Sequence, residues 1–221
     1  MSRRMTLPRR KLLGLGAAVA LGAAAPALAG SYEDFFHAVN IDDARTVQSL
    51  LARGFDPNTR DEKGQVALYL ALRDGSPRVA EALLAHPGLE VDAANAAGET
   101  PLMIAALHGE SAWVQRLLAR GAAVQRKGWT PLHYAAAGPE PRLIALLLAR
   151  GAAIDARAPN GTTALMMAAG YGAIDGAALL LEHGADPRVR NDAGLAAADF
   201  ARRAGRDALA ARLDAAAKSP R

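Results

Sequence analysis

The chain has 221 residues, 51 % of them hydrophobic and only 5 % aromatic, which favours closely packed helices with small contact residues over a core of large rings. Its net charge of +4 belongs to the N-terminus, since beyond residue 29 only 21 Lys and Arg remain against 22 Asp and Glu. A basic surface for nucleic acid is therefore not expected. The absence of cysteine excludes a disulfide scaffold.

Residues 1–29 contain the three parts of an export signal in order. Residues 1–11 are positively charged, residues 12–25 are apolar, and Ala27-Leu28-Ala29 is a small-x-small cleavage site. The apolar stretch is too short to span a bilayer, so we expect cleavage before Gly30, with an uncleaved anchor or a buried first helix as alternatives. Arg9-Arg10 allows the twin-arginine route as well as general secretion. The expected location is the periplasm of a Gram-negative bacterium, and secretion into the medium is the alternative.

Two landmarks recur through the rest of the chain. A glycine just before a helix start occurs five times, at spacings of 34, 30, 33 and 33 residues. Those glycines are Gly64, Gly98, Gly128, Gly161 and Gly194. A Leu-Leu-x-x-Gly segment alternates with them and ends at Gly54, Gly121, Gly151 and Gly184, with one inserted residue in the copy at Leu83–Gly88. Two landmarks in constant phase predict a repeat array.

The segment Gly128–Ala136 reads GWTPLHYAA and matches the opening Gly-x-Thr-Pro-Leu-His-x-Ala-Ala at every fixed position. From about Ser31 to Asp214 the chain therefore resembles the ankyrin repeat family. The resemblance implies an all-α solenoid of stacked helix-turn-helix units with hairpin-like loops. We expect this array over 30–215, followed by a disordered tail at 216–221. Its six units are expected at about 31–60, 61–94, 95–126, 127–157, 158–190 and 191–215.

Local chemistry within the units supports the same architecture. Thr100 and Thr130 are expected to be helix N-caps, each followed by proline at the first helical position. The glycines that end the Leu-Leu-x-x-Gly segments are expected to be left-handed caps. Pro139 stands where an inter-helix glycine is expected, and Gly138 is expected to cap that helix instead. The resemblance implies that His133 ties neighbouring loops by hydrogen bonds.

No catalytic set, cofactor or metal site is expected. The five histidines are His37, His86, His108, His133 and His183, and no two of them stand four residues apart as a helical metal pair would. There is no thiol nucleophile, nucleophile elbow or phosphate-binding loop. Asp56, Asp92, Asp155 and Asp186 are interpreted as turn-forming residues at one recurring loop site. These patterns predict a protein that is not an enzyme.

The candidate binding surface lies at the loop tips and on the exposed side of the inner helices, which ankyrin arrays usually present as one concave face. Leu107, Trp129 and Tyr171 fall on adjacent units and are expected to form one apolar patch. Trp129 has an alternative role, which is only to cover a neighbouring loop. The loop from Gly121 to Gly128 takes seven residues where the others take ten, which predicts a notch beside Trp129. The residues expected to contact a partner are Lys63, Arg73, Glu99, Leu107, His108, Lys127, Trp129, Thr162 and Tyr171.

The resulting hypothesis is a monomeric, non-catalytic protein-binding module in the periplasm. It would act as an adaptor, stabiliser or inhibitor of another protein, would not bind nucleic acid, and would not insert into the membrane after signal cleavage. The alternative is a secreted effector that binds a host or competitor protein.

Overall fold

Six consecutive helix pairs form the part of the chain that the computed structural model describes, which is residues 25–219 for the backbone and 30–219 for side chains. The predicted signal at 1–29 therefore lies outside the described side chains. We number the pairs as units 1 to 6. The helices are α1 (Ala25–Asn40), α2 (Ala44–Ala52), α3 (Ala67–Asp74), α4 (Pro77–Ala85), α5 (Pro101–Leu107), α6 (Ser111–Ala119), α7 (Pro131–Ala137), α8 (Arg142–Ala149), α9 (Ala164–Gly170), α10 (Ile174–Glu182), α11 (Ala197–Arg203) and α12 (Asp207–Lys218).

The first helix of each unit stacks on the first helix of the next, so α1, α3, α5, α7, α9 and α11 form an inner layer. The second helices form the outer layer, and the core lies between the two. Each of α3, α5, α7 and α9 contributes an equivalent leucine that is no more than 1 % exposed: Leu68, Leu102, Leu132 and Leu165. Buried alanines, such as Ala135 and Ala136 in α7, allow the inner helices to approach closely. The expected all-α solenoid is confirmed.

The expected caps are present at the ends of the helices except at Thr130, which occupies the N-cap of α7 but makes no side-chain cap hydrogen bond and places its hydroxyl 2.9 Å from His133 Nδ1. The Thr100 hydroxyl accepts a hydrogen bond from the Met103 N–H at 3.4 Å, and Pro101 and Pro131 begin their helices. Gly121 follows α6 with φ at +96°, a conformation that a residue with a side chain adopts only at a cost. The other three glycines that end a Leu-Leu-x-x-Gly segment have the same left-handed backbone. Left-handed glycines therefore follow these outer-layer helices, as the sequence predicts.

The turns within units 4 and 5 depart from those of the other units. The turns after α3, α5 and α11 contain a left-handed glycine, and Pro139 cannot adopt that conformation. Gly138 does cap α7, but its backbone is extended, and a Cβ there would lie 2.8 Å from the Leu107 carbonyl oxygen. In unit 5 a Cβ on Gly172 would collide with the Ala136 carbonyl oxygen. Both glycines are thus required by close backbone approach and not by a positive φ.

The C-terminal helix α12 continues to Lys218, so residues 216–218, which we expected in a disordered tail, are helical. Residues 215–217 are all alanine, the residue with the highest helix propensity, which explains the extension. Within residues 25–219 the helices are too short or too polar to cross a membrane.

Candidate functional site

The loops between units project as short fingers, and four of the five close as hairpins. In each, the residue three before the finger glycine donates its N–H to the carbonyl one residue past that glycine. These backbone bonds are Asp61 to Gln65 at 2.9 Å, Asn95 to Glu99 at 2.8 Å, Ala158 to Thr162 at 2.8 Å and Asn191 to Leu195 at 2.9 Å. The side chains of Asp61, Asn95 and Asn191 accept further N–H groups of their own fingers, as turn-forming residues do.

The shortened finger of unit 4 is built differently. Among the described residues no backbone bond joins Gln125 to Trp129, although these positions match the paired ones of the other fingers. The Gln125 side-chain amide instead donates to the Gly151 carbonyl of the next loop at 2.7 Å. The unit 4 finger is therefore held from outside, and half-buried Trp129 stands at its base.

The four loop aspartates occupy two positions and not one, which corrects the expectation from sequence. Asp92 and Asp155 accept an N–H from the following loop, at 3.0 Å from Ala123 and 2.9 Å from Asp186. Asp56 accepts the N–H of Asn58 within its own turn at 2.9 Å, and Asp186 does the same with Arg188. One pair therefore ties adjacent loops together, while the other shapes a single turn.

His133 is fully buried and connects the fingers of units 4 and 5. Its Nδ1 accepts the Thr130 N–H at 3.2 Å, and its Nε2 lies 3.0 Å from the Thr162 carbonyl oxygen, to which it donates in the tautomer that this arrangement requires. The loop-tying role implied by the family resemblance is confirmed. Burial lowers the pKa of His133, more strongly than its hydrogen bonds to backbone carbonyls raise it, so the ring is held neutral.

Glu99 is the centre of a polar cluster that joins units 2, 3 and 4. Its carboxylate accepts hydrogen bonds from the Tyr69 hydroxyl, the Tyr134 hydroxyl and the Asn95 side-chain amide, each at 2.8 Å. Burial opposes ionisation of Glu99, but these three donors outweigh it and lower its pKa. Burial and the Glu99 carboxylate raise the pKa of Tyr69 to about 12 and also raise the pKa of Tyr134. Glu99 is thus an ionised carboxylate whose bonds are satisfied within the chain.

A groove of about 450 Å³ lies beside this cluster at the N-terminal end of the inner layer, and we call it the N-terminal groove. Its Arg73 guanidinium makes two 2.7 Å bonds to the Asp74 carboxylate and one 3.1 Å bond to the Gln65 side chain. It also lies over the Tyr69 ring at 5.9 Å from the centroid. The side chains that define the groove include Tyr32, Glu33, Asp61, Glu62, Lys63 and Arg73.

A second groove, of about 490 Å³, spans units 4 to 6, and we call it the C-terminal groove. One wall comes from the fingers, with Trp129 and Leu195, and the other comes from α9 and α11. Tyr171 directly follows α9 and is 66 % exposed. The Trp129 ring packs edge-on against His133, with centroids 5.3 Å apart. The side chains that define the groove include Trp129, Met167, Tyr171, Leu195, Phe200 and Arg203.

The structure divides the nine candidate residues between these places. Trp129 and Tyr171 line one groove, as expected, but Leu107 does not line it and packs half-buried against the core. Thr162 borders the same groove but is only 2 % exposed, so little of its side chain is open to a partner. Lys63 and Arg73 line the N-terminal groove, and Glu99 is occupied by its own hydrogen bonds. His108 and Lys127 are exposed and line neither groove.

Sequence reasoning missed Met167, Leu195, Phe200 and Arg203. The signal was the register of the repeat, since Phe200 stands four residues after its helix N-cap, as do Tyr134 and Met167. Arg203 stands seven residues after the same N-cap, the position that Arg73 has in unit 2. Leu195, Phe200 and Arg203 belong to unit 6 and its finger, from which the candidate set took no residue.

No group of three or more histidine and acidic side chains within the described part of the chain is placed to hold a metal ion. Buried His133 and half-buried Glu99 are both engaged in structural hydrogen bonds. What the surface does offer is a polar groove at the N-terminal end and an open, more apolar groove over units 4 to 6, and extended repeat surfaces of this kind suit recognition of another macromolecule.

Comparison with known proteins agrees with this geometry. A family model described as ankyrin repeats (3 copies) matches residues 35–127 and 114–191. Among solved structures, 545 chains match, so the architecture by itself does not select one function. One is a chain of the Bd0816 predatory endopeptidase from Bdellovibrio bacteriovorus in complex with immunity protein Bd3460, with a TM-score of 0.69 and 26 % identity over 82 % of this chain and 97 % of that one. The search of curated proteins found no match.

Proposed function

The chain belongs to the ankyrin repeat family, and on that premise we propose that it is a non-catalytic protein-binding module that inhibits a peptidase in the periplasm. The observation that carries the proposal is the C-terminal groove. Trp129, Tyr171 and Phe200 present rings there, and such side chains dominate the energetics of protein interfaces. Tyr171 is 66 % exposed and shares this groove with Met167, Leu195 and Phe200, so it belongs to an apolar patch that a partner can cover.

The inhibitor role is favoured over adaptor and stabiliser roles by the solved complex. There, a chain built on the same fold is an immunity protein bound to an endopeptidase, and the match extends over 97 % of its length. A protein that occupies a protease can block substrate access by surface complementarity alone, without any catalytic group of its own. The same kind of partner is therefore the first to test for this chain.

The periplasmic location rests on the sequence of residues 1–29, which have the parts of an export signal. N-terminal sequencing of the protein recovered from a cell fractionation tests it. We expect a mature N-terminus at Gly30 in the periplasmic fraction. Recovery in the culture medium would favour a secreted effector instead, and an intact Met1 in the cytoplasm would contradict export.

Affinity capture tests the function itself. The full chain, exported by its own signal and carrying a C-terminal tag, is recovered from the source bacterium together with bound proteins. The matched control is a double variant with Trp129 and Tyr171 changed to Ala. We expect the parent to capture a peptidase and to suppress its cleavage of casein, and the folded variant to do neither.

The outcomes of this capture separate the function from the site. Capture by both proteins would support protein binding but reject the chosen surface. Capture of a non-peptidase would retain the binding role and reject the inhibitor role. The absence of any captured protein, with the parent folded and exported, would contradict the proposal.

A further inference from the structure

We propose that the C-terminal groove recognises a segment of the partner protein in which a large apolar side chain stands next to a carboxylate. This inference rests on the proposed protein-binding function and specifies the chemistry of its site. It derives from two features of the groove, an apolar floor and one cation without an internal partner.

The apolar floor arises from the repeat register. Met167 and Phe200 occupy equivalent positions on adjacent inner helices, and both line the groove. A Cβ at Gly170 would lie 3.3 Å from the Phe200 ring, so the absence of a side chain at this glycine leaves room for the ring. Leu195 closes the finger side. The floor is thus wide enough for one large apolar side chain of a partner.

The rim of the groove is apolar as well. Tyr171 is 66 % exposed, and Ile174, at the beginning of α10, is 58 % exposed. Within residues 30–219 they are two of only three large apolar side chains that are exposed to this degree. Tyr171 lines the groove and Ile174 follows it by three residues in the chain, so exposed apolar surface continues past Tyr171.

Arg203 supplies the charge. It follows Phe200 by one helical turn on α11, lines the groove and is exposed. No carboxylate of the described residues lies within ion-pair distance of it. Four other arginines of units 5 and 6 each pair with an aspartate, and these are Arg157, Arg188, Arg190 and Arg202. A guanidinium beside an apolar floor favours a carboxylate as the group next to the inserted side chain.

The N-terminal groove selects against the same segment. Three of its lining side chains are acidic, namely Glu33, Asp61 and Glu62. They outnumber the cations Lys63 and Arg73, and the Arg73 guanidinium is already paired with Asp74. An acidic segment would meet like charge at that end of the inner layer. Charge complementarity therefore assigns the apolar-acidic segment to the C-terminal groove.

A set of fluorescein-labelled peptides tests the inference with the full chain. The probes are Gly-Ser-Leu-Phe-Asp-Ser-Gly and versions with Asn or Lys in place of Asp, or Ala in place of Phe, and binding is measured by fluorescence anisotropy. We expect the Phe-Asp peptide to bind most tightly. Loss of the apolar anchor, by Tyr171→Ala or by the Ala peptide, should weaken binding by roughly tenfold.

The charge is tested by a double-mutant cycle between Arg203→Gln and the change from Asp to Asn in the peptide. Each single change should weaken binding by about threefold, the range of an exposed ion pair, and the second change should then cost nothing further. Arg212→Gln is the matched control, because Arg212 is an exposed arginine of α12 that does not line the groove. Circular dichroism establishes that each variant is folded.

The results distinguish this inference from the proposed function. Equal binding of the Asp, Asn and Lys peptides, or no binding of any peptide, would overturn it. Capture of a partner that Tyr171→Ala and Arg203→Gln leave unchanged would also overturn it while leaving the protein-binding function intact. Selective peptide binding without any captured peptidase would support the groove chemistry and reject the inhibitor role. Self-association that is lost on Tyr171→Ala would overturn it in favour of a second copy as the occupant.

Discussion

The N-terminal and C-terminal grooves are built from the same repeat positions but differ in how their polar groups are used. At the N-terminal end, Arg73 and the neighbouring Glu99 cluster are engaged in hydrogen bonds within the chain. At the C-terminal end, Tyr171 and Arg203 extend into solvent. On our proposal, the same scaffold makes internal hydrogen bonds at one end and recognises a partner at the other. Changes at the two ends should therefore affect different measurements.

The largest expected effect comes from the tight turn beneath the C-terminal groove. Gly172→Ala places a Cβ against the Ala136 carbonyl oxygen, and backbone atoms cannot rotate away as a side chain does. We expect a loss of about 3 kcal/mol of unfolding free energy, the upper part of the range for overpacking. Thermal and urea unfolding followed by circular dichroism measure it.

The matched control for Gly172→Ala is Gly121→Ala. Gly121 has φ at +96° but open space around its Cβ position, so the alanine meets backbone strain without collision. We expect about 1 kcal/mol of destabilisation there. Equal unfolding midpoints for the two variants would show that close approach in unit 5 is not what requires the glycine.

The second prediction concerns the Glu99 cluster, which joins units 2, 3 and 4. Glu99→Ala leaves the hydroxyls of Tyr69 and Tyr134 and the amide of Asn95 without their common acceptor. We expect a loss of about 2 kcal/mol, because partly buried donors are left unsatisfied. Urea unfolding measures this loss, and anisotropy with the Phe-Asp peptide should be unchanged.

Glu62→Ala is the control for Glu99→Ala, since Glu62 is an exposed acid of the unit 2 finger. It should change the unfolding free energy by less than about 0.5 kcal/mol. Weaker peptide binding by the folded Glu99→Ala variant would contradict the separation of stability and recognition between the two ends.

The third prediction concerns the pH dependence of stability that His133 produces. Because burial lowers the pKa of His133 in the folded chain, the unfolded chain binds more protons as the pH falls below about 6.5. Stability is therefore full above that pH and declines on acidification towards the lower folded pKa. The slope has an upper limit of about 1.4 kcal/mol per pH unit for one group.

Unfolding midpoints between pH 8 and pH 5 measure this decline. We expect His133→Gln to be less stable at pH 8 but to show a shallower decline than the parent. His108→Gln is the control, because His108 is exposed and should leave the parent's profile in place. A His133→Gln profile as steep as that of the parent would contradict the assignment.

The scaffold could be predicted from sequence because its signals are local. Thr130, Pro131 and His133 lie within four positions of one another and fix one helix start and the bonds around it. The Glu99 cluster could not be predicted in this way. Its hydroxyl donors come from Tyr69 and Tyr134, which are 30 and 35 residues away in sequence, and only the stacking of three units brings them together.

The residues that line the grooves could be predicted in part, for a reason that side-chain size explains. Gln65, Glu99, Trp129, Thr162 and Leu195 occupy one repeat position. The long side chains at this position reach the grooves or the polar cluster, whereas the short Thr162 side chain is covered. Position alone therefore predicts that Trp129 lines a groove but does not predict that Thr162 is covered. Arg203 has the same repeat position as Arg73 and lines the other groove, yet the candidate set did not include it.

The smallest expected effect on stability is the sharpest test of the comparison. Tyr171 is mostly exposed and lies outside the core, so Tyr171→Ala should change the unfolding free energy by less than about 0.5 kcal/mol. Its reciprocal is Tyr69→Phe, which removes a hydroxyl that bonds to Glu99 and should cost about 1 kcal/mol. Peptide binding should respond in the opposite order, with a loss for Tyr171→Ala and none for Tyr69→Phe. If both variants lost stability and binding together, the two grooves would form one cooperative surface, and recognition could not be assigned to the C-terminal end.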